Sequence, residues 1–283
     1  MNLPSVNIKE LLEAGVHLGH KTFRWNPKMS KYIFGSKNSI HIIDLVQTLE
    51  MINHALIEIH KCISSGGKII FVSTKKQATE SISSLAKDTS QYYVNHRWLG
   101  GMLTNWKTIS NSIKYYKKLS DDLSKENKGF TKKEFLKMGV KRDKLERSLG
   151  GIADMNKTPD MIFIIDTNIE SLAVKEAIKL KIPIVAIVDT NSDPTGIKFP
   201  IPGNDDARRS INLYCDLVKA VIIDAQKNIS QKTEEIEKVE IKKPLLEKNK
   251  KKAFKPPEVK VDVIKKSKSI FSKIKSFASK KNK

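Results

Sequence analysis

Five short apolar runs, separated by helical or longer connecting stretches, constrain the fold of this chain more than any other feature. A strand that is apolar on both faces must be covered on both sides, as in parallel sheets with helices packed above and below them. The sequence therefore predicts an α/β domain with a mainly parallel sheet. The predicted strands are residues 68–73, 91–94, 160–166, 183–189 and a short fifth near 198–201.

Helix signals lie before and between these runs. Apolar residues at alternating spacings of three and four from Ile42 to Ile63 predict one long amphipathic helix, closed by a Gly-Gly pair. Three capping boxes predict helix starts, the first of them for a short helix that ends at Gly15. The boxes are Asn7-x-x-Glu10, Thr74-x-x-Gln77 and Thr167-x-x-Glu170.

The connection between the second and third strands is far too long for one helix. Apolar residues at helical spacing run from Ile109 to Leu123 and resume from Leu145 to Ile152, with a break near Gly129. Two such helices would pair as an antiparallel hairpin. The predicted domains are an α/β body of residues 1–104 and 151–226, an inserted coiled-coil hairpin of 105–150, and a tail of 227–283.

The charge of the chain limits its partners. A net charge of +21 favours a polyanion, either nucleic acid or an anionic membrane. Residues 228–283 hold 18 lysines against 7 acidic residues, a charge of +11, which leaves +10 for the rest. This tail mixes lysine runs with prolines and is predicted to be disordered. Its residues 261–278 could form a basic amphipathic helix on binding.

The two cysteines and the apolar runs indicate the compartment. Cys62 and Cys215 lie far apart without metal-like spacing, so we expect reduced thiols. No apolar run reaches membrane-spanning length, and the first residues lack the features of a signal peptide. We therefore expect a cytoplasmic protein.

Residues 95–107 combine aromatic rings, basic side chains and a Gly-Gly pair. Rings can stack on bases, an arginine offers a planar fork to phosphate or guanine, and glycines let backbone approach a ligand. This inventory favours RNA contact. Alternatively, the apolar members fill the core where the chain turns. The candidate RNA-binding residues here are His96, Arg97, Trp98, Asn105, Trp106 and Lys107.

A second basic and aromatic stretch covers residues 21–31 and is predicted to be a loop. Basic residues interleaved with aromatic ones suit an RNA backbone with an occasional stacked base. The alternative is a solvated loop whose tryptophan closes the core. The candidate RNA-binding residues in this stretch are Lys21, Arg24, Trp25, Asn26 and Lys28.

Arg208 and Arg209 follow two acidic residues at the start of the last predicted helix. Basic residues at that end oppose the helix dipole, which suggests that they serve an anionic partner. Alternatively, they pair with Asp205 and Asp206.

Three separated motifs resemble the ribosomal protein S2 family of the small subunit and follow the family's order. The motifs are Gly15-Val16-His17-Leu18-Gly19-His20 with Arg24-Trp25-Asn26-Pro27-Lys28-Met29, then 95–107, then Ile201-Pro202-Gly203-Asn204-Asp205-Asp206-Ala207. The resemblance implies a three-layer, flavodoxin-like domain with a five-stranded sheet and the coiled-coil insertion.

The same resemblance implies a structural role in the cytoplasmic ribosome. The expected partners are small-subunit rRNA and neighbouring ribosomal proteins, including the one that helps to hold mRNA. Catalysis, a cofactor, a membrane and a homo-oligomer are not expected.

Two other functions stay open at this point. A nucleotide-dependent enzyme on the same frame could use Asp166 and Asp189 at strand ends as metal ligands or acid–base groups, although such residues also cap helices and close turns. The stretch 15–22 lacks the glycine that precedes the lysine of a phosphate loop. A basic adaptor could also bind membrane surfaces through the tail.

A metal site is not expected from the histidines. His17-x-x-His20 has the spacing of metal ligands on a helix, but the sequence around it offers no evident third or fourth ligand.

Overall fold

The computed structural model describes residues 4–124 and 131–228. The predicted break at Gly129 and the predicted tail from residue 229 onward lie outside these residues, while residues 227 and 228 continue the last helix. In chain order the elements are α1 (Ile8–Glu13), β1 (Leu18–Lys21), β2 (Ile33–Lys37), β3 (Ile40–Ile43), α2 (Leu45–Ser64), β4 (Ile69–Val72), α3 (Thr79–Asp88), β5 (Tyr92–Val94), α4 (Trp106–Ser124), α5 (Lys132–Leu149), β6 (Met161–Ile164), α6 (Ser171–Lys179), β7 (Ile184–Val188), β8 (Phe199–Pro202) and α7 (208–228).

The five predicted strands form one sheet in the order β5-β4-β6-β7-β8, and every neighbouring pair is parallel. Successive residues of each strand face opposite sides of the sheet. In β4, Ile69 and Phe71 join one buried cluster with α1, α2, α3 and α7, whereas Ile70 and Val72 join a second with α4 and α6. The structure therefore confirms the three-layer α/β prediction.

A small antiparallel sheet of order β1-β3-β2 precedes the main domain. The sequence pattern predicted a loop over residues 21–31 and a long helix from Ile42, but Ile42 belongs to β3. A two-residue turn joins β2 to β3, with φ of 52° at Asn38 and 62° at Ser39. Two such residues are typical of a tight hairpin. The helix starts later because the Asp44 side chain accepts a hydrogen bond from Val46 N at 2.9 Å.

The outcome for the capping boxes is mixed. The first box is confirmed, since Asn7 N donates to the Glu10 carboxylate at 3.4 Å. The other two are wrong, because α3 begins only at Thr79 and α6 at Ser171. Glu170 accepts a hydrogen bond from Thr74 N at 2.7 Å instead, so these residues join the loops after β4 and β6.

Helices α4 and α5 occupy the long connection and contact each other. Ile109 and Ile113 of α4 and Leu149 of α5 are buried in the cluster that covers one face of the sheet. The chain then returns closely past β5, where a Cβ at Gly151 would collide with the carbonyl oxygen of Tyr93. A glycine is required at this close approach.

Cys62 and Cys215 are free thiols, as predicted. Among the helices of residues 4–124 and 131–228, none combines the length and the apolar character needed to cross a bilayer.

Candidate nucleic-acid interface

The predicted RNA-binding residues all lie towards the carboxyl edge of the parallel sheet. Residues 95–107 follow β5, residues 208 and 209 follow β8, and residues 19–28 pack on the loop after β7. Because β4 and β6 lie between β5 and β7, the segment after β5 and the segment on the loop after β7 are separated by three strand spacings, about 14 Å. Ligands bind at this edge in open α/β sheets.

Backbone contacts fasten the N-terminal segment to the loop after β7. Asn26 N donates to Thr190 O at 2.7 Å, and His20 N donates to the Thr190 hydroxyl at 2.9 Å. Gly19 permits this approach, because a Cβ there would lie 2.6 Å from Thr190 Cγ2. Met29 and Tyr32 then bury their side chains in the same hydrophobic cluster as Trp98. The segment is a strand end and two short 3-10 turns rather than the predicted loop.

Three predicted residues of this segment face solvent. Lys21, Arg24 and Trp25 are exposed, and the Arg24 guanidinium lies 5.4 Å from the ring centre of Phe23. The Trp25 ring remains 41% exposed beside His41, so it does not close the core. This group presents both charge and ring faces outward.

Two other predicted residues have structural contacts already. The Asn26 side chain accepts a hydrogen bond from Lys28 N at 3.0 Å, which caps the following turn. The Lys28 ammonium pairs with Asp193 at 2.7 Å and donates to the Thr195 hydroxyl at 3.0 Å. The hydrogen bond from Lys28 lowers the pKa of Asp193 to about 2. Lys28 therefore offers less free charge than Lys21 or Arg24.

In the second segment, the structure separates the apolar from the polar residues. Trp98 is 6% exposed, and Met102 and Leu103 are buried beside it, so a direct stacking role for Trp98 is wrong. His96, Arg97, Asn105 and Lys107 are exposed, while Trp106 is half-buried against the cluster. The core-filling interpretation is confirmed for Trp98, Met102 and Leu103, and RNA contact by the exposed polar residues stays a prediction.

A glutamate that the sequence analysis missed holds the turn of this segment. Glu176 of α6 is 9% exposed, and its carboxylate accepts hydrogen bonds from the stretch 98–104. Gly101 within that stretch has a φ of +81°, a conformation that favours glycine, whereas Gly100 is exposed beside open space. Of the two glycines, only Gly100 leaves room for a ligand to approach the backbone.

A polar cleft of about 360 Å³ lies between this segment and α5. Its lining combines an aromatic ring and both signs of charge, which suits a polar ligand group. The lining residues are Tyr93, Asn95, His96, Asp143, Glu146 and Arg147.

Arg208 and Arg209 are exposed at the start of α7. Arg208 pairs with Glu80 of α3 at 2.6 Å. The predicted alternative of pairs with Asp205 and Asp206 is wrong, because the Lys75 ammonium lies 2.8 Å from each of those carboxylates.

The strand-end carboxylates proposed for an enzyme make structural contacts. One oxygen of Asp166 accepts from Asn168 N at 2.7 Å and Ile169 N at 3.1 Å, and the other lies 2.8 Å from Lys75 Nζ. Asp189 accepts from Thr190 N at 2.5 Å. Asp166 therefore closes a turn, as the alternative predicted, whereas Asp189 contacts the adjacent Thr190 and lies 2.8 Å from His20 Nδ1.

Four residues at the carboxyl edge, one of them in the N-terminal segment, could nevertheless hold a divalent cation. Donor atoms of His20, Asp189, Asp205 and Asp206 lie within 4.8 Å of one another. Imidazole nitrogen and carboxylate oxygen are ligands for such ions. Oδ2 of Asp205 is buried without a hydrogen-bond partner, and burial together with Asp189 and Asp166 raises its pKa to about 8.

The spacing of the histidines along the chain does not reveal this group. His17 is not a member of this group, and the other ligands of His20 come from loops after β7 and β8. The rule that carboxyl ends of parallel strands meet at one edge was the signal that could have found them.

Comparison with known proteins decides the family. The sequence model described as "Ribosomal protein S2" matches residues 11–225. The chain belongs to the ribosomal protein S2 family.

Relatives named "Small ribosomal subunit protein uS2" agree with this assignment. The protein of Parvibaculum lavamentivorans is 56% identical over 224 residues, which cover 79% of this chain and 88% of the relative. That of Sinorhizobium medicae is 58% identical over the same shares, and that of Chelativorans sp. is 57% identical over 79% of this chain and 84% of the relative.

The S2 family match includes both candidate RNA-binding segments and α4 and α5. It ends at residue 225, so the basic tail lies beyond it.

Proposed function

We propose that this S2 family protein is a structural, non-catalytic component of the small ribosomal subunit and binds small-subunit rRNA through the carboxyl edge of its sheet. The observation that carries this proposal is that two segments expose basic and aromatic side chains to solvent. The apolar side chains of both segments are buried in one hydrophobic cluster. Its place of action is the cytoplasmic ribosome. Family membership removes the support for an enzyme or a membrane adaptor.

Binding would depend mainly on phosphate contacts. Lys21, Arg24, Arg97 and Lys107 are exposed, and none of them forms an ion pair within the described part of the chain. Each can therefore displace a counterion from RNA, which makes affinity depend on salt. Trp25 adds a ring face for an unpaired base.

The remaining candidates contribute differently. Asn105 accepts a hydrogen bond from Thr108 through its oxygen, which leaves its N–H donors for RNA, and the Arg208–Glu80 pair reduces the net charge that Arg208 offers. His96, Trp106 and Arg209 complete the proposed surface. Asn26 and Lys28 stabilise the N-terminal segment through a turn cap and an ion pair, and Trp98 stabilises residues 95–107 by packing in the core.

Neighbouring ribosomal proteins are proposed as further partners. We include the neighbour that helps to hold mRNA, on the basis of the family resemblance. The interface with each neighbour is a separate question from rRNA binding.

A triple substitution tests the RNA interface. We expect Arg24→Ala, Arg97→Ala and Lys107→Ala together to lower occupancy on purified small subunits, measured by sedimentation, while the thermal unfolding of the free protein is unchanged. A matched control changes Lys87, Lys157 and Lys179 to Ala. These lysines are exposed towards the opposite edge of the sheet, and their replacement removes the same charge. Equal occupancy for the triple variant and the control would contradict the proposed interface.

A further inference from the structure

Residues 98–104 form a turn without regular secondary structure, and one side chain supplies acceptors for it. Within the turn, Met102 N donates to Leu99 O at 3.1 Å. The amides of Gly101, Leu103 and Thr104 all donate to the carboxylate of Glu176. The turn therefore depends on a residue more than 70 positions away.

The two carboxylate oxygens of Glu176 divide five donors between them. Oε1 accepts from Trp98 Nε1 at 3.1 Å and Gly101 N at 2.8 Å. Oε2 accepts from Leu103 N at 3.0 Å, Thr104 N at 3.0 Å and the Thr104 hydroxyl at 3.1 Å. A carboxylate suits this role, since it accepts hydrogen bonds and donates none.

The exposed basic residues flank the turn on both sides. His96 and Arg97 precede it, and Lys107 follows it at the start of α4. Their relative placement is set by the turn, which is held by the five donors to Glu176, by two internal backbone hydrogen bonds and by burial of Trp98, Met102 and Leu103. We propose that Glu176 is the positioning residue that sets the RNA-binding geometry of residues 95–107. This inference rests on the proposed function.

A thermodynamic cycle tests the inference in the full-length protein. The variants are Glu176→Gln, the double variant Arg97→Ala/Lys107→Ala, and all three changes together. A glutamine would turn N–H groups towards two or three of the donors. We expect Glu176→Gln to weaken binding to small-subunit rRNA by roughly tenfold.

The cycle separates positioning from a general loss of stability. If Glu176 acts through Arg97 and Lys107, the triple variant binds no more weakly than the double variant. The slope of log affinity against log salt should also fall in Glu176→Gln towards that of the double variant, by up to roughly 0.7 to 0.9 for each phosphate that is no longer neutralised. A merely structural effect would lower affinity and leave the contribution of the two basic residues intact.

Two further variants serve as controls. Glu50→Gln changes an exposed glutamate of α2 and should leave rRNA affinity unchanged. Thr104→Val removes only one hydroxyl donor to Glu176, so it should shift affinity in the same direction by a smaller factor even if Glu176→Gln folds poorly.

The outcomes distinguish the inference from the function on which it rests. If the double variant weakens rRNA binding but Glu176→Gln and Thr104→Val do not, or if the effects add, Glu176 is not the positioning residue. If the double variant itself binds rRNA normally, the proposed interface at residues 95–107 fails and the inference fails with it.

Discussion

The two candidate RNA-binding segments reach the same edge of the sheet by different means. The N-terminal segment is tied to the loop after β7 by several separate contacts, including two hydrogen bonds to Thr190 and the Lys28–Asp193 ion pair. Residues 95–107 instead depend on three buried side chains, Trp98, Met102 and Leu103, and on one carboxylate, Glu176. A segment held by several weak contacts tolerates the loss of any one of them. A segment held by a few buried groups has most of its stabilising free energy at those positions.

The largest contrast should come from the two tryptophans. We expect Trp98→Ala to lower the free energy of unfolding by about 3–5 kcal/mol, because it leaves a cavity in the core. Trp25 is 41% exposed and lies outside both buried clusters, so Trp25→Ala should cost less, about 1 kcal/mol. Urea denaturation of both variants measures the difference, and similar costs would mean that the two segments are anchored alike.

The carboxylate anchor should show a pH dependence. Burial tends to raise the pKa of Glu176, but hydrogen bonds from Thr104, Leu103 and Trp98 lower it below its ordinary value of 4.5. Its contribution is therefore present above pH 4.5 and is lost as pH falls through the folded-state pKa. We expect Glu176→Gln to destabilise the protein by about 1–3 kcal/mol at pH 7 and by less at pH 3. A cost that does not shrink in acid would exclude an ionised anchor.

A backbone change tests the N-terminal segment. The Cβ of Gly19→Ala would lie 2.6 Å from Thr190 Cγ2, so we expect a destabilisation of about 1–3 kcal/mol by overpacking. Gly35→Ala in β2 is the matched control, because a Cβ there meets nothing within 4 Å. Thermal unfolding of the two variants gives the comparison, and equal melting temperatures would show that the contact with Thr190 is easily relieved.

The smallest expected effect concerns the exposed ion pair. Asp193→Asn frees the Lys28 ammonium, so rRNA affinity should rise by a factor that corresponds to about 0–1 kcal/mol. Asp88→Asn makes the same charge change but frees Lys219, which lies towards the opposite edge of the sheet. Its gain in rRNA affinity should therefore be smaller. A larger gain from Asp88→Asn would show that net charge, rather than the position of Lys28, controls binding.

The sequence predicted the main sheet because its strands are buried on both faces and therefore read as continuous apolar runs. The small sheet was missed because β1 and β2 are largely exposed, with isolated apolar residues such as Phe34 facing solvent. Trp25 and Trp98 are the same residue type in similar basic surroundings, and only tertiary packing assigns one to the surface and the other to the core.

The contacts of the site were the hardest to predict. In the sequence, Glu176 is one polar residue of a short amphipathic helix, which is the usual pattern of a solvated side chain. Its donors lie more than 70 residues earlier in the chain. The rule that ligands bind at the carboxyl ends of parallel strands could have predicted the location of the site, but the pairing of particular side chains could not be predicted.

The common hydrophobic cluster of Met29, Tyr32 and Trp98 has a thermodynamic consequence. Segments that share buried side chains open together as one cooperative unit, so their amides should exchange with solvent at matched rates. Binding of rRNA to either segment would then also reduce local unfolding of the other segment, without direct contact between that segment and the rRNA. Binding at one segment would therefore lower the exchange rate of amides in the other segment, across the two strands that separate them.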